Sequence, residues 1–144
     1  NKYGGIRVVI GYTTGVYDLF HVGHVNVLRN AKSLCDRLIV GVTSDELVLY
    51  KNKRSVIPFE ERIEVVRACQ YVDIAVPQVS MSKTDAHDRY RFDIMFVGDD
   101  WHGTDKWEKY DKEFGDRGVK IVYFPYTAAT SSTLINQTLE KLRG

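Results

Sequence analysis

A chain of 144 residues suits one domain, and its 44% hydrophobic content can form a core without staples. Charged residues make up 27%, with a formal net charge of +1, so nothing global draws the chain to nucleic acid or to an anionic membrane. No apolar run approaches spanning length and no signal-peptide pattern is present.

Two cysteines, Cys35 and Cys69, show no metal-ligand spacing and read as free thiols, which suits a reducing, cytoplasmic compartment. The chain does not begin with Met, which leaves room for a larger parent protein. It contains no internal repeat, linker or low-complexity segment, and residues 1–144 read as a single domain.

Apolar runs recur at intervals that suit alternating strands and helices. The β-branched run Val8-Val9-Ile10 makes Arg7–Tyr12 a predicted strand. Val22–Cys35 follows as a helix with Val25, Leu28, Ala31 and Cys35 on one face. Leu38–Val42 is a buried strand, and Ser44-Asp45-Glu46 opens a short helix with Ser44 as its cap. Tyr50–Ile57 is a basic loop. Pro58 sits in the first turn of a helix to about Cys69 that buries Ile63, Val66 and Val65.

Tyr71–Val76 is the third strand, ended by Pro77, and Val79–Arg91 becomes helical in its second half. Ile94–Val97 is the fourth strand, Lys106–Phe114 an amphipathic helix, and Val119–Phe124 the fifth strand after a turn at Gly115–Gly118. Thr130–Thr133 caps a last helix with a stripe of Leu134, Ile135, Thr138, Leu139 and Leu142. This order predicts an α/β fold: a Rossmann-like, doubly wound, five-stranded parallel sheet with helices on both faces.

Four segments then fall at the carboxyl edge of the sheet, where ligands bind in such folds. The first runs from Gly15 to His24 and ends His21-x-Gly23-His24 at a helix start. Two imidazoles three residues apart share a helical face, a helix N-terminus suits phosphate, and Gly23 permits close approach. The second is the basic loop Lys51-Asn52-Lys53-Arg54, a source of mobile cations for a triphosphate or simply a solvated loop. The third is Gly98-Asp99-Asp100-Trp101, whose carboxylates can orient a hydroxyl, hold Mg²⁺ or merely end a strand. The fourth is Tyr126-Thr127-Ala128-Ala129-Thr130-Ser131-Ser132-Thr133, hydroxyl-rich before a helix.

His21-x-Gly23-His24, placed after Gly15-x-Tyr17-Asp18, resembles the signature of the HxGH nucleotidyltransferase superfamily. Together with Gly98-Asp99-Asp100-Trp101, the wording is similar to cytidylyltransferases acting on glycerol 3-phosphate. The resemblance implies transfer of a cytidylyl group from CTP to a phosphorylated alcohol, with Mg²⁺, by a homodimer. His21, His24, Lys51 and Lys53 would be catalytic. Gly15, Val16, Tyr17, Asp18, Gly23, Asp99, Thr127, Ser131 and Ser132 would bind nucleotide, and Asp18 would lie near the metal. Arg62, Asp100, Trp101 and Tyr126 would meet the alcohol phosphate, although Arg62 has a plain alternative in pairing with an acid. The chain departs from the family pattern at Tyr126 and Gln70, where arginines are usual, and at Ala128-Ala129, where Glu-Gly is usual. Other members of the superfamily that use ATP or another alcohol phosphate, and a nucleotide-binding module without turnover, remain as alternative readings. If the imidazoles serve phosphate alone, His24→Ala leaves the melting temperature unchanged while turnover falls.

Overall fold

The computed structural model describes residues 7–98, 102–125 and 139–142. The elements are β1 (Ile10–Gly15), α1 (Val22–Ser33), β2 (Arg37–Thr43), α2 (Asp45–Tyr50), α3 (Phe59–Ala68), β3 (Ile74–Gln78), α4 (Lys83–Tyr90), β4 (Ile94–Gly98), α5 (Asp105–Asp116) and β5 (Lys120–Phe124). All five strands pair in parallel in the order β3-β2-β1-β4-β5. The order reverses between β1 and β4. That switch point opens a crevice beyond the strands' carboxyl ends, and the loop holding His21 leaves β1 directly into it.

Side-chain alternation along the strands explains the two helical layers. Leu38, Val40 and Val42 of β2 pack with Leu28 and Ala31 of α1 and with Ile63 and Val66 of α3. Ile39, one residue out of phase, joins Tyr12, Met95, Phe92, Trp107 and Phe114 on the other face, where α4 and α5 lie. The sheet is therefore covered on both sides, as its near-continuous apolar strands require.

Several predicted boundaries move, each for a local reason. The first strand begins at Ile10 and runs on to Gly15. Residues before it are fixed by carboxylates: Asp36 accepts from Val9 N at 2.7 Å and Asp93 from Ile10 N at 2.9 Å. Thr13 extends the strand because its hydroxyl donates to Phe96 O at 3.1 Å, which removes the penalty for burying it. Helix α1 ends at Ser33, capped by the amide of Leu34. Pro58 is the N-cap of α3 and not its first residue. Pro77 lies within β3 and does not end it, which an edge strand tolerates because one row of its amides has no ladder partner. Val65 is exposed; with Tyr17, Leu19, Phe20, Ile57 and Glu61 it lines an open groove of about 460 Å³. Among the described residues no helix is long and apolar enough to cross a membrane, and both cysteines are free.

Candidate active site

The two histidines of the first segment build the start of α1. His21 is the N-cap, and its Nδ1 accepts from Gly23 N at 3.0 Å. His24, three residues on, returns the favour: its Nδ1 accepts from His21 N at 3.1 Å. This is a capping box with imidazoles standing where serine and glutamate usually stand. The substitution works because Nδ1 of histidine occupies the same position along the side chain as the δ oxygen of asparagine. Gly23 is buried, and the two rings pack against each other with centroids 4.1 Å apart.

These two bonds settle the tautomer. A nitrogen that accepts a backbone N–H carries no proton, so each neutral ring carries its proton on Nε2. Burial, then the neighbouring His21 ring, lowers the His24 pKa to about 4, against the opposing pull of Asp18. Burial lowers that of His21 as well. At neutral pH the α1 start therefore presents two neutral N–H donors beside the positive end of a helix dipole, with no acid in its first turn. Such a set stabilises charge that develops on a phosphate oxygen.

The loop before it is held by unusual backbone. Tyr17 and Leu19 take left-handed conformations, with φ of 55° and 51°, which L residues adopt at a cost of about 1–2 kcal/mol each. The resulting bend turns Asp18 toward the loop ahead of α3, where its two oxygens accept from Val56 N at 2.8 Å and Ile57 N at 2.9 Å. Asp18 thus ties the histidine segment to the chain that follows Lys51, Lys53 and Arg54. Tyr17, expected on the nucleotide, packs its ring in the core and edge-on to His24 at 5.4 Å between centroids; burial raises its phenol pKa. Gly15 makes room for that ring, since a Cβ there would lie 2.9 Å from it.

Arg62 takes the alternative of pairing with an acid. It is 1% exposed, and its guanidinium donates to Asp45 Oδ1 at 2.7 Å, Val16 O at 2.7 Å, Thr43 O at 2.8 Å and Ile57 O at 2.8 Å. Four of about five donors are thereby spent on protein. Arg62 joins the ends of β1 and β2, the start of α2 and the basic loop. Val16 contributes its carbonyl to this junction. Asp45 also accepts from Phe59 N and Ser55 Oγ, which explains why its loop is fixed at both ends.

Lys51 C-caps α2, and Asn52, left-handed at φ 59°, turns the chain to Lys53. Burial, then Lys53 and Lys106, lowers the Lys51 pKa. Lys83 and Lys106, which the sequence reading did not single out, are further cations whose charges act on Lys51 or on each other. Each stands in the first turn of a helix that follows a strand, where a cation opposes the helix dipole; that misplacement was the available signal. Among the described residues no group of three or more His, Cys, Asp or Glu side chains is placed to hold a metal. Asp99, Asp100, Trp101, Tyr126, Thr127, Ser131 and Ser132, together with the predicted cap at Thr130–Thr133, lie outside the described residues.

A family model described as cytidylyltransferase-like matches residues 12–138. The chain is 34% identical to glycerol-3-phosphate cytidylyltransferase of Staphylococcus aureus over 128 residues, covering 88% of this chain and 92% of that protein. It is 30% identical to FAD synthase of Thermococcus kodakarensis over 141 residues, covering 95% of this chain and 91% of that protein. In fold it is similar to a lipopolysaccharide core biosynthesis protein from Thermoplasma volcanium, with a TM-score of 0.70 at 22% identity over 84% of this chain and 98% of that one.

Proposed function

Because this chain belongs to the cytidylyltransferase-like family, we propose that it transfers the cytidylyl group of CTP to sn-glycerol 3-phosphate. An oxygen of the acceptor's phosphate attacks the α-phosphorus, the bond from that phosphorus to the bridging oxygen breaks, and pyrophosphate leaves with the electron pair. The products are CDP-glycerol and pyrophosphate. Such a transfer needs alignment and charge stabilisation, and the protein supplies no nucleophile.

One observation carries the reading: both imidazoles of α1 spend Nδ1 on the backbone, which leaves the ring proton on Nε2 at a helix N-terminus. Neutral donors of fixed direction suit a phosphate whose charge grows during the step, because they need no reorganisation. Lys51 and Lys53 approach from the loop that Asp18 tethers and add mobile positive charge. Mg²⁺ belongs to the proposal as the counter-ion of the triphosphate. The acceptor is argued from the likeness to the Staphylococcus aureus relative and from the wording Gly98-Asp99-Asp100-Trp101. Carboxylates accept hydrogen bonds from a glycerol's hydroxyls. A two-fold dimer in the cytoplasm completes the proposal, motivated by the family likeness of Tyr71-Val72-Asp73; a monomer in light scattering at micromolar concentration counts against the dimer.

The test is pyrophosphate release with CTP or ATP, each offered with glycerol 3-phosphate or phosphocholine at equal concentration. CTP with glycerol 3-phosphate should be fastest. A faster reaction with phosphocholine overturns the acceptor and leaves the cytidylyl reading intact. A faster reaction with ATP overturns both and favours the second reading, adenylyl transfer, which the likeness to an FAD synthase supports. Tight CTP binding with no release under any pair makes the chain a nucleotide-binding module.

A further inference from the structure

The turn between β1 and α1 brings two rings against His24. The Phe20 ring stacks on the imidazole, with centroids 5.3 Å apart and planes 23° from parallel. The Tyr17 ring meets His24 edge-on at 5.4 Å and lies 6.4 Å from Phe20, so the three form one cluster. Left-handed backbone at Tyr17 and Leu19 makes this possible: Tyr17 enters the core while Phe20 comes round to the imidazole. Such backbone persists only where surrounding contacts over-determine it, and it concentrates at functional sites. Phe20 is half-buried and lines the open groove beside α3, so core packing alone does not account for its place.

What the stack supplies is direction. The bond from His21 N holds Nδ1 of His24 at 3.1 Å, but a single hydrogen bond lets a ring swing about that contact. A flat neighbour on one face and a second ring edge-on remove that freedom. His21 has less support of its own. Among the described residues its ring meets one other, that of His24 at 4.1 Å, and its Nδ1 accepts from Gly23 N. Support therefore runs from Tyr17 and Phe20 to His24, and from His24 to His21. Tyr17 is a core residue, 6% exposed, and its loss would disturb the fold. Phe20 is the member whose role at His24 can be separated from folding.

We propose that Phe20 is a positioning residue, whose ring holds the His24 imidazole in the plane that aims Nε2–H at the reacting phosphate. It acts through His24 and touches no substrate. The proposal deepens the nucleotidyl-transfer reading and rests on it for the identity of that phosphate; the placement of His24 by Phe20 stands apart from it. A group misplaced by about 1 Å can cost about a hundredfold in rate. Substrate binding, which draws on other contacts, is spared.

Three variants test this. Phe20→Leu keeps apolar bulk and loses the flat face, Phe20→Tyr keeps the face, and Val65→Ala is a control in the same groove. In pyrophosphate release with CTP and glycerol 3-phosphate, Phe20→Leu should lower kcat about tenfold or more, with KM for CTP within about twofold of wild type. Phe20→Tyr should restore most of the loss, and Val65→Ala should match wild type. Proton NMR near neutral pH reads the placement without substrate. The ring current of Phe20 holds the carbon-bound protons of His24 upfield; Phe20→Leu should release them downfield, and the other two variants should leave them in place. A raised KM with unchanged kcat makes Phe20 a substrate contact and overturns the proposal. Wild-type turnover in Phe20→Leu, a Phe20→Tyr protein no better than Phe20→Leu, or unmoved His24 signals also overturns it. Absence of turnover by the wild type on every substrate pair overturns the nucleotidyl-transfer reading alone, and displaced His24 signals would then still support the placement by Phe20.

Discussion

Replacing His21 in two ways separates the two duties of its ring. His21→Asn places an amide oxygen where Nδ1 now accepts from Gly23 N, so the cap of α1 survives. Asparagine is among the best N-caps, but it has nothing at the position of Nε2. His21→Ala removes both. A cap of this kind contributes about 1 kcal/mol, within a range of about 0.5–2. In a domain of this size that is a shift of roughly 3–4 °C in melting temperature. His21→Ala should therefore melt about 3 °C or more below wild type, and His21→Asn within about 1 °C of it. Turnover should fall in both by about a hundredfold to a thousandfold, as when one preorganised donor to a developing oxyanion is lost. Scanning fluorimetry and pyrophosphate release read the two effects independently. If His21→Asn turns over like wild type, Nε2–H has no part in the chemistry; if His21→Ala melts like wild type, the ring does not cap the helix. His24→Ala is a blunter probe than the sequence suggests. The His24 ring accepts from His21 N, so its removal should also lower the melting temperature.

Two further outcomes follow from the same contacts. His24 has a folded pKa of about 4 against an ordinary 6.5, so between these values the unfolded chain binds more protons. Stability should thus rise with pH through that window and be lost as pH falls from 6.5 toward 4. About 1–2 kcal/mol remains after discounting for the ring's partial exposure. Denaturant midpoints at pH 7 and 4.5, with the ring followed by NMR, check this; a His24 titration near 6.5 refutes it. Arg62→Met should cost about 3–5 kcal/mol, because it strands Asp45 and three carbonyls without their donor. Arg62→Lys should recover little of this, since one ammonium cannot fork to four acceptors; urea unfolding at wild-type midpoints would refute the hub.

The sheet, its parallel order and the two helical layers were legible in the chain because they follow from periodicity. Alternating Leu38, Ile39 and Val40 must serve two faces, and Leu28 and Ala31 must share one. His21 and His24 were legible for a related reason, as a spacing of three residues fixes two side chains on one turn. Their tautomer was not, since it depends on which ring nitrogen meets which amide. What was not legible concerns contacts between segments distant in the chain. Asp18 reaches amides 38 and 39 residues away, and Arg62 reaches Val16 across 46. A carboxylate or a guanidinium looks the same in sequence whether it will bind a ligand or a backbone. Only the folded chain decides which, because a buried charge must take the nearest partners that tertiary packing brings to it.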